Sequence, residues 1–238
     1  MYNLFRLTSL FVFITLVSCR TYVHISDTEI EYSRMDGKAV GSDAEVLEFI
    51  DPFRDEMNEE MMKVIGDMPE DLIKARPNSN MGNWFTDAML SEAQRTNPHP
   101  VDFAIQNYGG LRIPSVAEGP LTKGKIYELM PFDNMLVVLE LDNEKIQLLL
   151  NKIASSNGWP VSRNLSFRIE DRKAVDIMIH GKGLEKGGSY RVAMPDYIAN
   201  GGDNCDFLID VPQDNSGLFI REVIIEHLEE LMAKGDKI

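Results

Sequence analysis

Four short loops carry the residue types that could do chemistry. The last of them, YIANGGDN (Tyr197 to Asn204), follows an alternating stretch that ends at Pro195. It offers an aromatic ring at Tyr197, a glycine pair at Gly201-Gly202 and a carboxylate at Asp203. A second aromatic, Phe132, sits in the loop MPFDN, and Arg112 closes the loop QNYGGLR. Two flat rings next to loop-forming residues can sandwich a nucleobase. A carboxylate accepts hydrogen bonds from a pair of sugar hydroxyls. An arginine presents a fixed planar charge to phosphate or carboxylate. Glycines let backbone approach a ligand closely. Taken singly, each loop is also explained by local structure. Asn80 or Asn83, in RPNSNMGN, could cap the helix that follows; Gly109-Gly110 could be a turn; Phe132 could be core; Asp203 could be an Asx-turn residue.

The elements that must hold these loops follow from patterning. Asp51-Pro52 predicts a helix start, with Phe53, Met57, Met61, Val64 and Met68 at helical spacing until Pro69. A second helix is predicted from about Gly82 to Thr96. Val101 to Ile105 reads as a short strand and Thr122 to Met130 as a short helix capped by Thr122. Met135 to Leu141 is an apolar strand, and Asp142 caps a helix with Ile146, Leu149, Leu150 and Ile153 on its face. Leu165 to Ile169 and Val175 to Ile179 alternate as strands, followed by Tyr190 to Met194. Leu218 to Ala233 closes the chain as an amphipathic helix. Tyr22 to Tyr32 is a candidate strand and Met35 to Ser42 a turn. Strands and helices interleave irregularly, so the expected class is α+β: one domain with a mixed sheet packed by helices, over 51–238.

The 238 residues carry 38 acidic and 24 basic side chains, a formal net charge of −14. Such a chain is a poor candidate for gripping nucleic acid through its field. At 44% hydrophobic it supports a sizeable core. The first residues, MYNLFRLTSLFVFITLVSCR, place one cation before an apolar run too short to span a bilayer comfortably. Leu16-Val17-Ser18-Cys19 resembles the lipobox of bacterial lipoproteins. That resemblance implies a signal peptide over 1–18, a lipidated Cys19, a tether over 19–50, and an exported, membrane-anchored, periplasm-facing protein. Cys205 then has no partner for a disulfide and reads as a small core residue.

In order and separation the four loops resemble the C-terminal domain of the 5′-nucleotidase / UDP-sugar hydrolase family. Its signatures look like NMGN, N-x-GG-x-R, PF-x-N and F-x-A-x-GGDG. Here they stand as NMGN (Asn80–Asn83), NYGGLR (Asn107–Arg112), PFDN (Pro131–Asn134) and YIANGGDN (Tyr197–Asn204). The resemblance spans roughly Met61 to Lys237. It implies that Phe132 and Tyr197 form the base sandwich and that Asp203 holds the ribose. Arg112 and Asn107 would face the phosphate side, Asn134, Gly109 and Gly110 would complete the pocket, and Asn83 and Arg76 are further substrate-side candidates. Tyr197 replaces the usual phenylalanine, Tyr108 a common glycine, and Asn204 and Cys205 the usual glycine and aromatic.

Hydrolytic members of that family carry a separate metallophosphatase domain that binds two divalent metals through motifs resembling D-x-H and GNHE. None of the four histidines here, His24, His99, His180 and His227, lies in such a motif, and each reads as a surface residue. No G-x-S-x-G elbow or P-loop appears. The expectation is a nucleotide- or nucleoside-recognition half, inactive alone and with no cofactor of its own. It would act with a separate metallophosphatase that brings the divalent metals. A stand-alone nucleoside-binding lipoprotein is the alternative, and a structural lipoprotein that has lost its ligand a third.

Overall fold

The structure, a computed structural model, describes residues 31–32 and 43–235. Cys19, the leader and the Met35–Ser42 turn lie outside these residues, as does the Tyr22 strand apart from its last two positions. The chain divides into two compact units, residues 1–49 and 50–238. Among the described residues no helix is long and apolar enough to cross a membrane.

Helix α1 runs Ala44–Met61 and buries none of its residues. Its start differs from the sequence expectation. Asp43 Oδ1 accepts from the amide of Glu45 at 2.9 Å, and Pro52 lies inside the helix. Its end differs too. Val64 and Met68 keep helical spacing, but Val64–Met68 is strand β1, paired antiparallel with β5 (Gly119–Thr122). Two β-branched residues followed by glycine suit a strand. This pairing buries Ile65 and Met68, which helical periodicity along one segment cannot foresee.

Strand β2 (Leu72–Ile73) pairs with β4 (Ser115–Val116). Helix α2 spans Asn80–Thr96, and its cap is neither Asn80 nor Asn83: Ser79 Oγ accepts from the Gly82 amide at 3.0 Å. Asn80 instead ties the loop to β2. Its Oδ1 accepts from the Ile73 amide at 2.7 Å, and its Nδ2 donates to the Asp71 carbonyl. Helix α3 (Lys123–Leu129) starts at the expected Thr122 cap, and α4 (Asn143–Ser155) at Asp142.

The central sheet has the order β11 (Gln213–Phe219), β6 (Met135–Asp142), β10 (Ser189–Pro195), β3 (Phe103–Ala104), and a single turn of helix, α5 (Asp196–Ala199), follows β10. The β10–β3 pair is parallel and the other two antiparallel, so the sheet is mixed as expected. Side chains alternate across it. Leu136, Val138, Ala104 and Ala193 face a core built with α2, α3 and helix α6 (Ile220–Lys234). Val137, Leu139, Leu141, Val192 and Met194 face a second core built with α4 and the hairpin β7 (Leu165–Glu170) and β8 (Lys173–Ile179). A short strand β9 (Lys182–Gly183) extends that hairpin. Helices cover both faces of the sheet, and its strand ends are free to carry loops.

His227 corrects an expectation. Rather than lying on a solvated face, it is largely buried, and its Nδ1 sits 3.0 Å from Glu92 Oε1, a carboxylate buried in α2. Arg95 reaches the same carboxylate at 2.6 Å. The acidic residues around His227 in sequence hide a cross-helix partner 135 positions away.

Candidate nucleotide-binding cleft

Sheet topology brings the loops together. Strand β10 is parallel to β3 and antiparallel to β6, with Pro195 opposite Leu136. The end of β3, the end of β10 and the beginning of β6 therefore lie on one edge. Loop 106–112 leaves β3 there, loop 131–134 enters β6 there, and the loop after β10 begins there. Strand β11 also ends there, with Phe219 opposite Met135, and this delivers the start of α6 to the same edge. One staple closes the arrangement: Asp196 Oδ1 accepts from the amides of Met135 (3.0 Å) and Tyr197 (2.8 Å).

At this edge lies a cleft of about 360 Å³ lined by Asn107, Gly109, Gly110, Arg112, Phe132, Asn134, Tyr197 and Asp203. Eight of the ten candidates named from sequence line it. The other two do not. Arg76 faces an adjoining groove of about 300 Å³ with Tyr108, Lys152 and the far side of Asp203. Its guanidinium lies 3.9 Å from the Tyr108 ring centre and donates to the Ser156 carbonyl. Asn83 lines a separate groove of about 520 Å³ with Pro77, Trp159, Arg163 and Phe167. The Ser79 cap starts α2 at Asn80, two residues before the expected Gly82, and so places Asn83 within the first turn of the helix.

The rings of Phe132 and Tyr197 are 39% and 45% exposed, unusual for aromatics in a packed domain. Tyr197 is held from behind. A Cβ on Gly202 would come within 2.6 Å of its ring, so only glycine fits there. Gly201 turns the chain with φ +92°, and Asp203 follows in the left-handed region at φ 52°, ψ 32°. That backbone aims the Asp203 carboxylate back across the loop. Asn107 Nδ2 donates to Asp203 Oδ2 at 2.8 Å. The Tyr197 hydroxyl accepts from the Asp203 amide at 3.3 Å and lies 3.4 Å from Asp203 Oδ1. Asp203 Oδ2 thus accepts from Asn107, and Oδ1 accepts a long hydrogen bond from the Tyr197 hydroxyl, which leaves it acceptor capacity at the cleft.

Arg112 is exposed, 5.6 Å from the Phe132 ring centre, and donates to the Gly109 carbonyl at 3.3 Å. With Lys74 and Arg76 it forms a cationic lip. The Lys74 ammonium lies 4.0 Å from the Tyr108 ring centre and donates to the Leu111 carbonyl at 2.6 Å. Burial, then the charges of Arg112 and Arg76, hold the Lys74 pKa below the usual lysine value. None of the three cations has a carboxylate partner among the described residues. In a chain this acidic, three unpaired cations at one rim make a local anion-attracting field. The Tyr108 substitution therefore carries cations over its ring.

Arg221 is a functional candidate that motif reasoning does not reveal. It is 8% exposed in the first turn of α6. Its guanidinium donates to the carbonyls of Met130 (3.4 Å) and Phe132 (3.3 Å) and to Asp133 Oδ1 (2.6 Å), and packs 4.3 Å from the Tyr127 ring centre. It holds the loop that presents Phe132. The signal was an arginine in register with Ile224, Ile225 and Leu228 on the buried stripe of an otherwise amphipathic helix.

Among the described residues no group of three or more His, Cys, Asp or Glu side chains is placed to hold a metal ion.

Comparison with known proteins agrees with fold and motifs. The family described as 5′-nucleotidase, C-terminal domain, matches residues 64–210. The chain belongs to this family. It is 27% identical over 200 residues to a 5′-nucleotidase of Vibrio cholerae, and 25% identical over 201 residues to protein UshA of Escherichia coli. Each match covers 80% of this chain and 35% of the relative, so the chain spans about a third of those proteins. The crystal structure of a 5′-nucleotidase precursor from Thermus thermophilus superposes with TM-score 0.67 at 29% identity, over 82% of this chain and 42% of that one. A 5′-nucleotidase structure from Staphylococcus aureus, at 17% identity and TM-score 0.64, shares the fold.

Proposed function

We propose that this chain is the nucleotide-recognition half of a 5′-nucleotidase-type phosphohydrolase. The observation that carries the reading is the single cleft that joins two exposed rings, a hydrogen-bonded carboxylate and an unpaired arginine. The base stacks between Phe132 and Tyr197. The ribose hydroxyls donate to Asp203, whose orientation Asn107 fixes. The 5′-phosphate extends toward Arg112 and the cationic lip. Family membership and the Vibrio and UshA relatives support a nucleotide as ligand.

Phosphoryl chemistry comes, in this reading, from a metallophosphatase acting with the domain. Divalent metals there would activate water and neutralise phosphoryl charge. This chain's residues bind and orient: they fix the base and sugar, and they leave the phosphate at an open rim. Export and lipid anchoring through Cys19 belong to the same proposal. They place the pair at a membrane facing extracytoplasmic nucleotides. Replacing Cys19 by Ser is expected to release the protein from membranes; continued membrane retention argues against the anchor.

The test is capture of the protein from its native membrane, followed by an assay of phosphate release from AMP. Activity that co-purifies with a metallophosphatase supports the proposal. AMP hydrolysis by the purified chain alone overturns it.

A further inference from the structure

Against Asn107 and Gly110, two residues that line the cleft, packs a side chain that neither motif nor exposure singles out. Gln106 is fully buried. Its Nε2 donates to Asn107 Oδ1 at 2.9 Å. Its Oε1 is buried and has no hydrogen-bond partner among the described residues. Burying an amide oxygen unpaired costs free energy, and leucine would fill similar space without that cost. Stability alone therefore gives no reason for glutamine here. Its single side-chain hydrogen bond does.

That bond decides which end of the Asn107 amide meets Asp203. With Oδ1 occupied by Gln106, the Asn107 NH₂ must point to Asp203 Oδ2, where it donates at 2.8 Å. If Asn107 flipped, its carbonyl oxygen would face a carboxylate, and two acceptors would repel. Asp203 Oδ1, which accepts only a long 3.4 Å hydrogen bond from the Tyr197 hydroxyl, keeps acceptor capacity for hydroxyl donors from the cleft. Gly110 completes the device. A Cβ there would lie 1.9 Å from Gln106 Nε2 and 2.8 Å from Asn107 Oδ1, so the relay and a side chain at 110 exclude each other.

We infer that Gln106 is a positioning residue that sets the Asn107–Asp203 pair to accept a vicinal diol, and so selects ribosides over sugars lacking those hydroxyls. The inference rests on the nucleoside reading of the cleft, and it deepens that reading by naming what enforces sugar selection. A structural filler would show itself as lost stability on replacement. The relay predicts lost discrimination with stability kept.

The experiment compares wild type with Gln106→Leu. Calorimetry measures adenosine and 2′,3′-dideoxyadenosine binding, thermal unfolding measures stability, and NMR measures hydrogen exchange of the Asn107 side-chain amide without ligand. The expected result is roughly tenfold weaker adenosine binding, with dideoxyadenosine within about twofold of wild type. Tm is expected to be unchanged or higher, and the Asn107 amide to exchange faster. Wild-type discrimination in the variant overturns the inference, as does unchanged Asn107 exchange. If wild-type protein binds neither ligand, the nucleoside reading and the sugar selection fall together; amide exchange still decides whether Gln106 orients Asn107.

Discussion

At the scale of single residues, the proposed recognition of a nucleoside rests on Tyr197 and Asp203, which one loop presents together. Tyr197→Ala removes one face of the base sandwich and is expected to weaken adenosine binding by about 1–3 kcal/mol; titration calorimetry reads this directly. Asp203→Ala is expected to weaken adenosine more than free adenine, because adenine has no hydroxyls to donate. Equal losses for both would assign Asp203 to the turn alone. Cys205, buried beside this loop, has its thiol pushed up by burial to about 11 from 9.0. Its folded pKa exceeds its unfolded one, so its contribution to stability is complete below about pH 9 and is lost as pH rises toward 11. Denaturant midpoints across that window should fall less in Cys205→Ala than in wild type. The chemistry of Phe132, Tyr197, Asp203 and Arg112 was legible because ring, carboxylate and cation each occur in a loop where local structure gives them little else to do. Arg76 and Asn83 were not separable from them by type. Their diversion depends on the Tyr108 ring and the Ser79 cap, whose consequences appear only in three dimensions.

At the scale of elements, the cleft exists because three strand ends and one helix start share an edge of the sheet. Most strands and capped helices could be read from alternation and from cap residues such as Thr122 and Asp142. The Val64–Met68 strand could not, because its apolar positions satisfy helical spacing and only pairing with Gly119–Thr122 decides the outcome. Long-range anchors were equally hidden: Arg221 reaches residues about ninety positions away in sequence. Arg221→Met keeps the aliphatic packing and removes the charge-assisted hydrogen bonds to loop 131–134. Each such bond contributes about 1.5–3 kcal/mol, so the variant is expected to unfold at lower denaturant. It should also bind adenosine more weakly, because Phe132 loses its support. A variant that loses stability but binds normally would show that Phe132 positions itself.

At the scale of the whole molecule, a chain of net charge −14 gathers Lys74, Arg76 and Arg112 around one rim without carboxylate partners. The balance that argues against nucleic acid also makes this rim the place where a small anion gains most. Adenosine should bind with little dependence on salt, whereas the additional affinity of AMP should fall as ionic strength screens exposed charges. Family membership fixes the fold and the order of the loops, and the cleft adds what the domain can hold. The most direct measurement is titration of AMP and adenosine into the purified protein, with Tyr197→Ala in parallel. Saturable one-to-one binding of both is expected, AMP the tighter, with a loss of about tenfold or more in the variant. No binding of either ligand, or equal affinity in wild type and variant, would contradict the proposed recognition.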